Sequence, residues 1–160
     1  MKIDISVASQ TLRVLDEQGC ILREYPVSTA KAGVGEISGS YQTPRGRHRI
    51  RAKIGAGAPE NTVFVRRRPT GEIWTPALAD EFPGRDWILT RIFWLCGCEP
   101  GKNRHGCVDT MRRFVYIHGA PDSAEMGRPG SHGCVRMHTP DIIELFDQVP
   151  CYTTVDIRED

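Results

Sequence analysis

The chain has 160 residues, 39% hydrophobic and 26% charged, with 21 basic against 20 acidic side chains. That length suits one compact domain burying roughly two thirds of its unfolded surface, and the composition excludes a disordered or fibrous chain. A net charge of +1 argues against nucleic acid as the main partner, and no apolar run approaches the roughly 20 residues that a membrane-spanning helix needs.

From Ile3 to Val7 apolar and polar residues alternate, the pattern of a half-buried first strand. The segment lacks the apolar stretch and small-residue cleavage site of an export signal. As it stands the chain is expected in the cytoplasm; removal of an export signal would leave the same sequence on a periplasmic or cell-envelope protein. Leu12 and Val14 continue the pattern before the turn Asp16-Glu17-Gln18-Gly19, and Cys20 to Val27 reads as the return strand of a hairpin. Thr43-Pro44-Arg45-Gly46 carries proline and glycine where a tight turn needs a fixed and a permissive φ. Strands are expected again at Arg47 to Ala52, Trp87 to Leu95, Arg113 to His118 and Tyr152 to Ile157, each rich in β-branched or aromatic residues. Arg66-Arg67-Arg68, followed by Pro69-Thr70-Gly71, reads as a solvated loop, and Ala77 to Phe82 as a helical turn.

The one well-formed helix is expected over Thr139 to Val149, where Ile142, Leu145, Phe146 and Val149 recur at three and four residues. Thr139 is placed to cap it, Pro140 fits its first position, Asp141 suits the positive end of its dipole, and Pro150 stops it. No repeat, low-complexity tract or linker divides the chain, so residues 1–160 are expected to form a single, mainly β domain.

The six cysteines are expected as free thiols, since the chain shows no secretory signal. Cys96, Cys98, His105 and Cys107 could supply four zinc ligands, but a single residue between the first two makes a poorer chelate than the usual C-x2-4-C. A zinc site from His118, His132, Cys134 and His138 is the other metal alternative. Neither is favoured, and no metal or organic cofactor is expected.

The densest chemistry lies in Tyr116-Ile117-His118-Gly119 and Ser131-His132-Gly133-Cys134-Val135-Arg136-Met137, with glycine and proline between. A thiol attacks a carbonyl as thiolate, and at an ordinary pKa of ~8.5 it needs a base at neutral pH. A histidine on a neighbouring strand end, with a pKa near ~6.5, can take the proton and return it to a leaving amine. Cys134 is therefore the candidate nucleophile and His118 its base. Gly133 leaves room for the amides of His132, Gly133 and Cys134 to approach an oxyanion.

These two segments resemble the L,D-transpeptidase (YkuD) family, which places a histidine-glycine pair at a strand end, then a loop, then a serine-histidine-glycine-cysteine run with an arginine two residues beyond. The opening strands, the Thr43 to Gly46 turn and the terminal helix and strand extend the resemblance over nearly the whole chain. It implies a β-sandwich or barrel with one amphipathic helix after the catalytic cysteine. It implies that the Gly119 carbonyl orients His118, and that Arg136 either grips a carboxylate of the substrate or stabilises its loop. Ser131 and His132 would lie on the substrate side, His132 either positioning substrate or packing locally, while His138 is structural. The glycine-rich stretch from Trp94 to Thr110 is either a lid or a plain surface loop, and its Asn103 and Arg104 are candidate substrate contacts.

The implied activity is acyl transfer on peptidoglycan stem tetrapeptides through a Cys134 thioester, with release of the terminal D-alanine and carbapenems as covalent inhibitors. A cytoplasmic L,D-carboxypeptidase or other thiol hydrolase of muropeptides is the alternative within the chemistry. A non-catalytic cell-wall binding module is the alternative outside it.

Overall fold

Ile3, Ile5, Leu12 and Val14 are completely buried, so the first two strands present one apolar face inward. A computed structural model describes all 160 residues. The strands in chain order are β1 (Lys2–Ser6), β2 (Thr11–Leu15), β3 (Ile21–Pro26), β4 (Gly46–Ile54), β5 (Thr62–Val65), β6 (Arg68–Ile73), β7 (Ile88–Gly97), β8 (Tyr116–Ala120), β9 (Val135–His138) and β10 (Thr154–Arg158). Helix α1 (Pro76–Glu81) follows β6, and α2 (Thr139–Gln148) follows β9.

All ten strands belong to one sheet, ordered β3-β2-β1-β10-β4-β7-β5-β6, with β8 and β9 branching from β7. The pairs β1–β10 and β8–β9 are parallel and the rest antiparallel. The branch arises because β4 and β5 share one edge of β7 while β8 takes the other. Helix α2 lies across this branch and buries Ile142, Leu145 and Phe146 in the main core with Phe93, Ile117, Val135 and Met137. Lys53 holds its far end, donating to the Phe146 carbonyl, where a cation complements the helix dipole.

The first hairpin forms as the sequence suggests, with Asp16 Oδ1 accepting the Gln18 and Cys20 amides across the turn. Three expectations need correction. Arg66 and Arg67 form the two-residue turn of the β5–β6 hairpin, both at positive φ (50° and 64°), so neither those strands nor the turn is a solvated loop. Such a turn normally signals itself with Asn-Gly or Asp-Gly, and two arginines give no signal. The strand expected from Arg113 starts at Tyr116, because Phe114 sits at φ 57° and breaks the extended chain. Thr139 does not cap α2: it is already helical, and its hydroxyl meets Thr90 Oγ1 at 3.1 Å and Asn61 Oδ1 at 3.4 Å, leaving His138 at the cap with no side-chain bond.

Candidate active site

Strands β8 and β9 pair in register with Ile117 opposite Val135 and His118 opposite Arg136. Ile117 and Val135 face the core, so alternation sends His118 and Arg136 to the other side of the sheet. The segment joining the strands returns to place Cys134 immediately before β9, beside Tyr116. There the Tyr116 amide donates to Cys134 Sγ at 3.3 Å, and the thiol reaches the Phe114 carbonyl at 3.6 Å.

His118 is 1% exposed, and its Nδ1 lies 2.7 Å from the Gly119 carbonyl oxygen. A carbonyl only accepts, so Nδ1 carries the proton and Nε2 of the neutral ring is left with a free lone pair. Burial pushes the His118 pKa below its ordinary value, against the opposing pull of the Gly119 carbonyl and the Asp86 carboxylate. Burial also pushes the Cys134 thiol up to about 12, only partly offset by the Tyr116 amide. At neutral pH the resting pair is therefore a neutral thiol and a neutral imidazole. Gly119 is a glycine because a Cβ there would lie 2.5 Å from the Leu89 carbonyl oxygen.

The segment around Cys134 is held from several sides. Thr29 accepts the amides of Gly130 and Ser131, and Ser28 exchanges backbone hydrogen bonds with Arg136. The buried Thr43 hydroxyl donates to the Gly133 carbonyl and accepts from the Ala30 amide, both at 2.9 Å. Arg113 donates to the carbonyls of Gly35 and Gln42, fastening a loop that passes close over Gly133. Gly133 stands at φ 129°, which disfavours any other residue.

Several expected site residues take other places. Ser131 is buried and donates to the Cys134 carbonyl at 2.5 Å, which commits it to the turn instead of to a ligand. Its Oγ also accepts the Gly133 amide at 3.2 Å, so that amide is not free for an oxyanion. The amides of His132 and Cys134 have no partner in the protein and remain as donors. Arg136 Nη2 donates to Ser28 Oγ at 2.9 Å, which favours the loop-stabilising of its two expected roles. Its buried Nε has no partner. His132 is exposed at the rim, 3.7 Å from the Asp86 carboxylate and edge-on to Tyr41.

Asn103 is completely buried and binds the carbonyls of Arg45 and Arg47 and the Glu99 amide, so it ties the loop after β7 to β4 and cannot meet substrate. That loop walls a cavity of about 880 Å3 on the outer face of β4 and β7, with Arg104 in its lining. The cavity does not include Cys134, but Phe114 and Trp94 belong to both neighbourhoods. Across them lies the Arg67 guanidinium, 4.5 Å from the Trp94 ring and bonded to the Tyr116 hydroxyl. No three His, Cys, Asp or Glu side chains converge as metal ligands, which removes both zinc alternatives.

Sequence reasoning missed Thr43, Arg113, Asp86 and Ser28. Thr43 was visible in its turn motif, though only as a turn; Ser28 joins the site through backbone pairing and a side-chain bond with Arg136, and Asp86 through its carboxylate near His132.

The description "L,D-transpeptidase catalytic domain" (YkuD) matches residues 1–157. The chain is 29% identical over 156 residues to the YkuD protein of Bacillus licheniformis, covering 98% of this chain and 64% of that protein. It thus spans just under two thirds of that relative's length. Its fold matches the L,D-transpeptidase of Xylanimonas cellulosilytica (residues 123–326) with a TM-score of 0.55 at 19% identity, covering 98% of this chain and 59% of the other. It also matches L,D-transpeptidase 3 of Mycobacterium tuberculosis in complex with a faropenem-derived adduct, with a TM-score of 0.58 at 16% identity, covering 98% and 59%.

Proposed function

This chain belongs to the L,D-transpeptidase catalytic-domain family, and from that premise we propose that residues 1–160 act as one catalytic domain that transfers acyl groups from peptidoglycan stem tetrapeptides through a Cys134 thioester. The observation that carries this is the Nδ1–Gly119 hydrogen bond, which leaves a basic Nε2 on His118, in the strand that pairs with β9, immediately before which Cys134 stands. For attack the thiol leaves the Phe114 carbonyl and passes its proton to His118 Nε2 as the sulfur bonds to the scissile carbonyl carbon. The Gly119 carbonyl steadies the imidazolium that forms. The unclaimed amides of His132 and Cys134 are the donors suited to the tetrahedral oxyanion.

Collapse breaks the carbon–nitrogen bond, and His118 returns its proton to the departing D-alanine amine. An amine of a second stem, or water, then attacks the thioester with His118 again as base. A pair that rests neutral makes the base the pH-sensitive member. The depressed pKa of His118 keeps the ring neutral below its ordinary value, so rate falls only as pH drops through the lowered value. β-Lactams, carbapenems among them, would acylate the same sulfur, and the faropenem-derived adduct of a structural relative supports acylation by a β-lactam. No helix is long and apolar enough to cross a membrane.

The test is D-alanine release from a disaccharide tetrapeptide by wild type and by Cys134→Ala. Release by wild type alone is expected, and turnover by the variant would refute the thioester.

A further inference from the structure

The cavity of about 880 Å3 beside the nucleophile is lined by Arg47, Arg49, Arg51, Arg104 and Arg112. Its origin is simple: β4 alternates, sending His48 and Ile50 inward and Arg47, Arg49 and Arg51 outward. The loop after β7 and the turn after it bring Arg104 and Arg112 against the same space.

None of these five side chains has an ion-pair partner or donates a hydrogen bond within the protein. By contrast Arg13, Arg23, Arg45, Arg85, Arg128 and Arg158 are all ion-paired. The one acid in the lining, Asp109, is committed to the backbone amides of His105 and Arg112. Those bonds hold its carboxyl below the usual range although partial burial acts the other way. Five like charges around one cavity repel one another unless an anion fills it.

We propose that this cavity binds the carboxylate groups of the peptide substrate, beside the thiol that attacks it. The assignment rests on the acyl-transfer reading above and adds where the substrate's charge is held. Arginine forks match carboxylates in pairs of hydrogen bonds. The volume is that of a small-molecule site and holds several residues of peptide. Trp94 and Phe114 line it; the Phe114 carbonyl is 3.6 Å from Cys134 Sγ, and Trp94 packs with Cys134 against the cluster of Phe64, Ile92 and Tyr116. A chain anchored here by its carboxylates emerges beside the sulfur, which a free phosphate or a remote polyanion would not exploit.

Binding of a disaccharide tetrapeptide is measured by calorimetry with Cys134→Ala and with the same variant carrying Arg49→Gln and Arg51→Gln. Both arginines lack partners, so thermal unfolding should be unchanged, and Arg49→Lys with Arg51→Lys provides a charge-retaining control. The expected result is a Kd weakened roughly 10- to 100-fold by the glutamines, less by the lysines. Amidating the peptide carboxylates should weaken binding to Cys134→Ala and add little in the glutamine variant.

Equal Kd values for the two proteins, equal sensitivity to amidation, or no measurable binding to Cys134→Ala would overturn the proposal. So would displacement of the peptide by equimolar inorganic phosphate, which would make the cavity a phosphate site. Because these proteins lack the nucleophile, a failure of wild type to release D-alanine would refute the acyl-transfer chemistry without altering this result.

Discussion

The segment around Cys134 and the arginine cavity adjoin through Phe114 and Trp94, yet they treat polar groups in opposite ways. Around Cys134 the hydroxyls of Ser131 and Thr43, the Arg136 guanidinium and most backbone amides bind one another. Around the cavity five guanidiniums bind nothing in the protein. The first region is built to hold a few atoms in fixed positions, and the second leaves its hydrogen-bonding capacity open. That contrast is what a site needs when chemistry and recognition fall to different surfaces.

The largest expected effect sharpens the first half of the comparison. His118→Ala should lower the rate of D-alanine release about 10²- to 10⁴-fold, or ~3–5 kcal/mol of barrier, measured below the unfolding midpoint, which the lost buried ring also lowers. A loss below tenfold in steady-state kinetics would show that another group takes the thiol proton.

The next concerns His48, on the face of β4 opposite the cavity arginines, which is buried with Nδ1 donating to Gly46 and Nε2 accepting from Thr110. Burial holds its pKa down at about 4. Its contribution is therefore fully present above the unfolded value of ~6.5 and is lost as pH falls through the folded value near 4, by about 3 kcal/mol. Denaturant unfolding at several pH values should show that loss, and His48→Gln should remove it; an identical pH dependence in the variant would disprove it.

Thr43→Val leaves the Gly133 carbonyl and Ala30 amide without their buried partner, for an expected ~1–3 kcal/mol of stability. It should also alter the alkylation rate of Cys134, since Gly133 positions it; unaltered stability and alkylation would free the segment from Thr43. Smallest of all, Arg49→Gln with Arg51→Gln should change stability by no more than ~0.5 kcal/mol. A larger destabilisation would mean these arginines support the fold.

Much of the frame was legible in the sequence. The period-two alternation of Ile3, Ile5, Leu12 and Val14 and the helical spacing of Ile142, Leu145 and Phe146 reflect burial directly, and burial is what the structure shows. The hydrogen bond of His118 to the Gly119 carbonyl, which the family resemblance implied, is present in the structure. The β5–β6 hairpin was not legible, because its Arg66-Arg67 turn adopts positive φ without the residues that usually announce it. Thr139 has the type and position of a cap, but contacts from Asn61 and Thr90, distant in sequence, claim its hydroxyl. Asn103 looked like a polar loop residue free to meet substrate. Only the approach of its loop to β4 reveals it as a staple. The arginine cavity was invisible for the same reason, since Arg104 and Arg112 join the β4 arginines only after folding.

The most direct test of Cys134 as the acylated nucleophile is intact-protein mass spectrometry of wild type and Cys134→Ala after exposure to a carbapenem. A single adduct on wild type and none on the variant is the expected result. An adduct on both, or on neither, would contradict it.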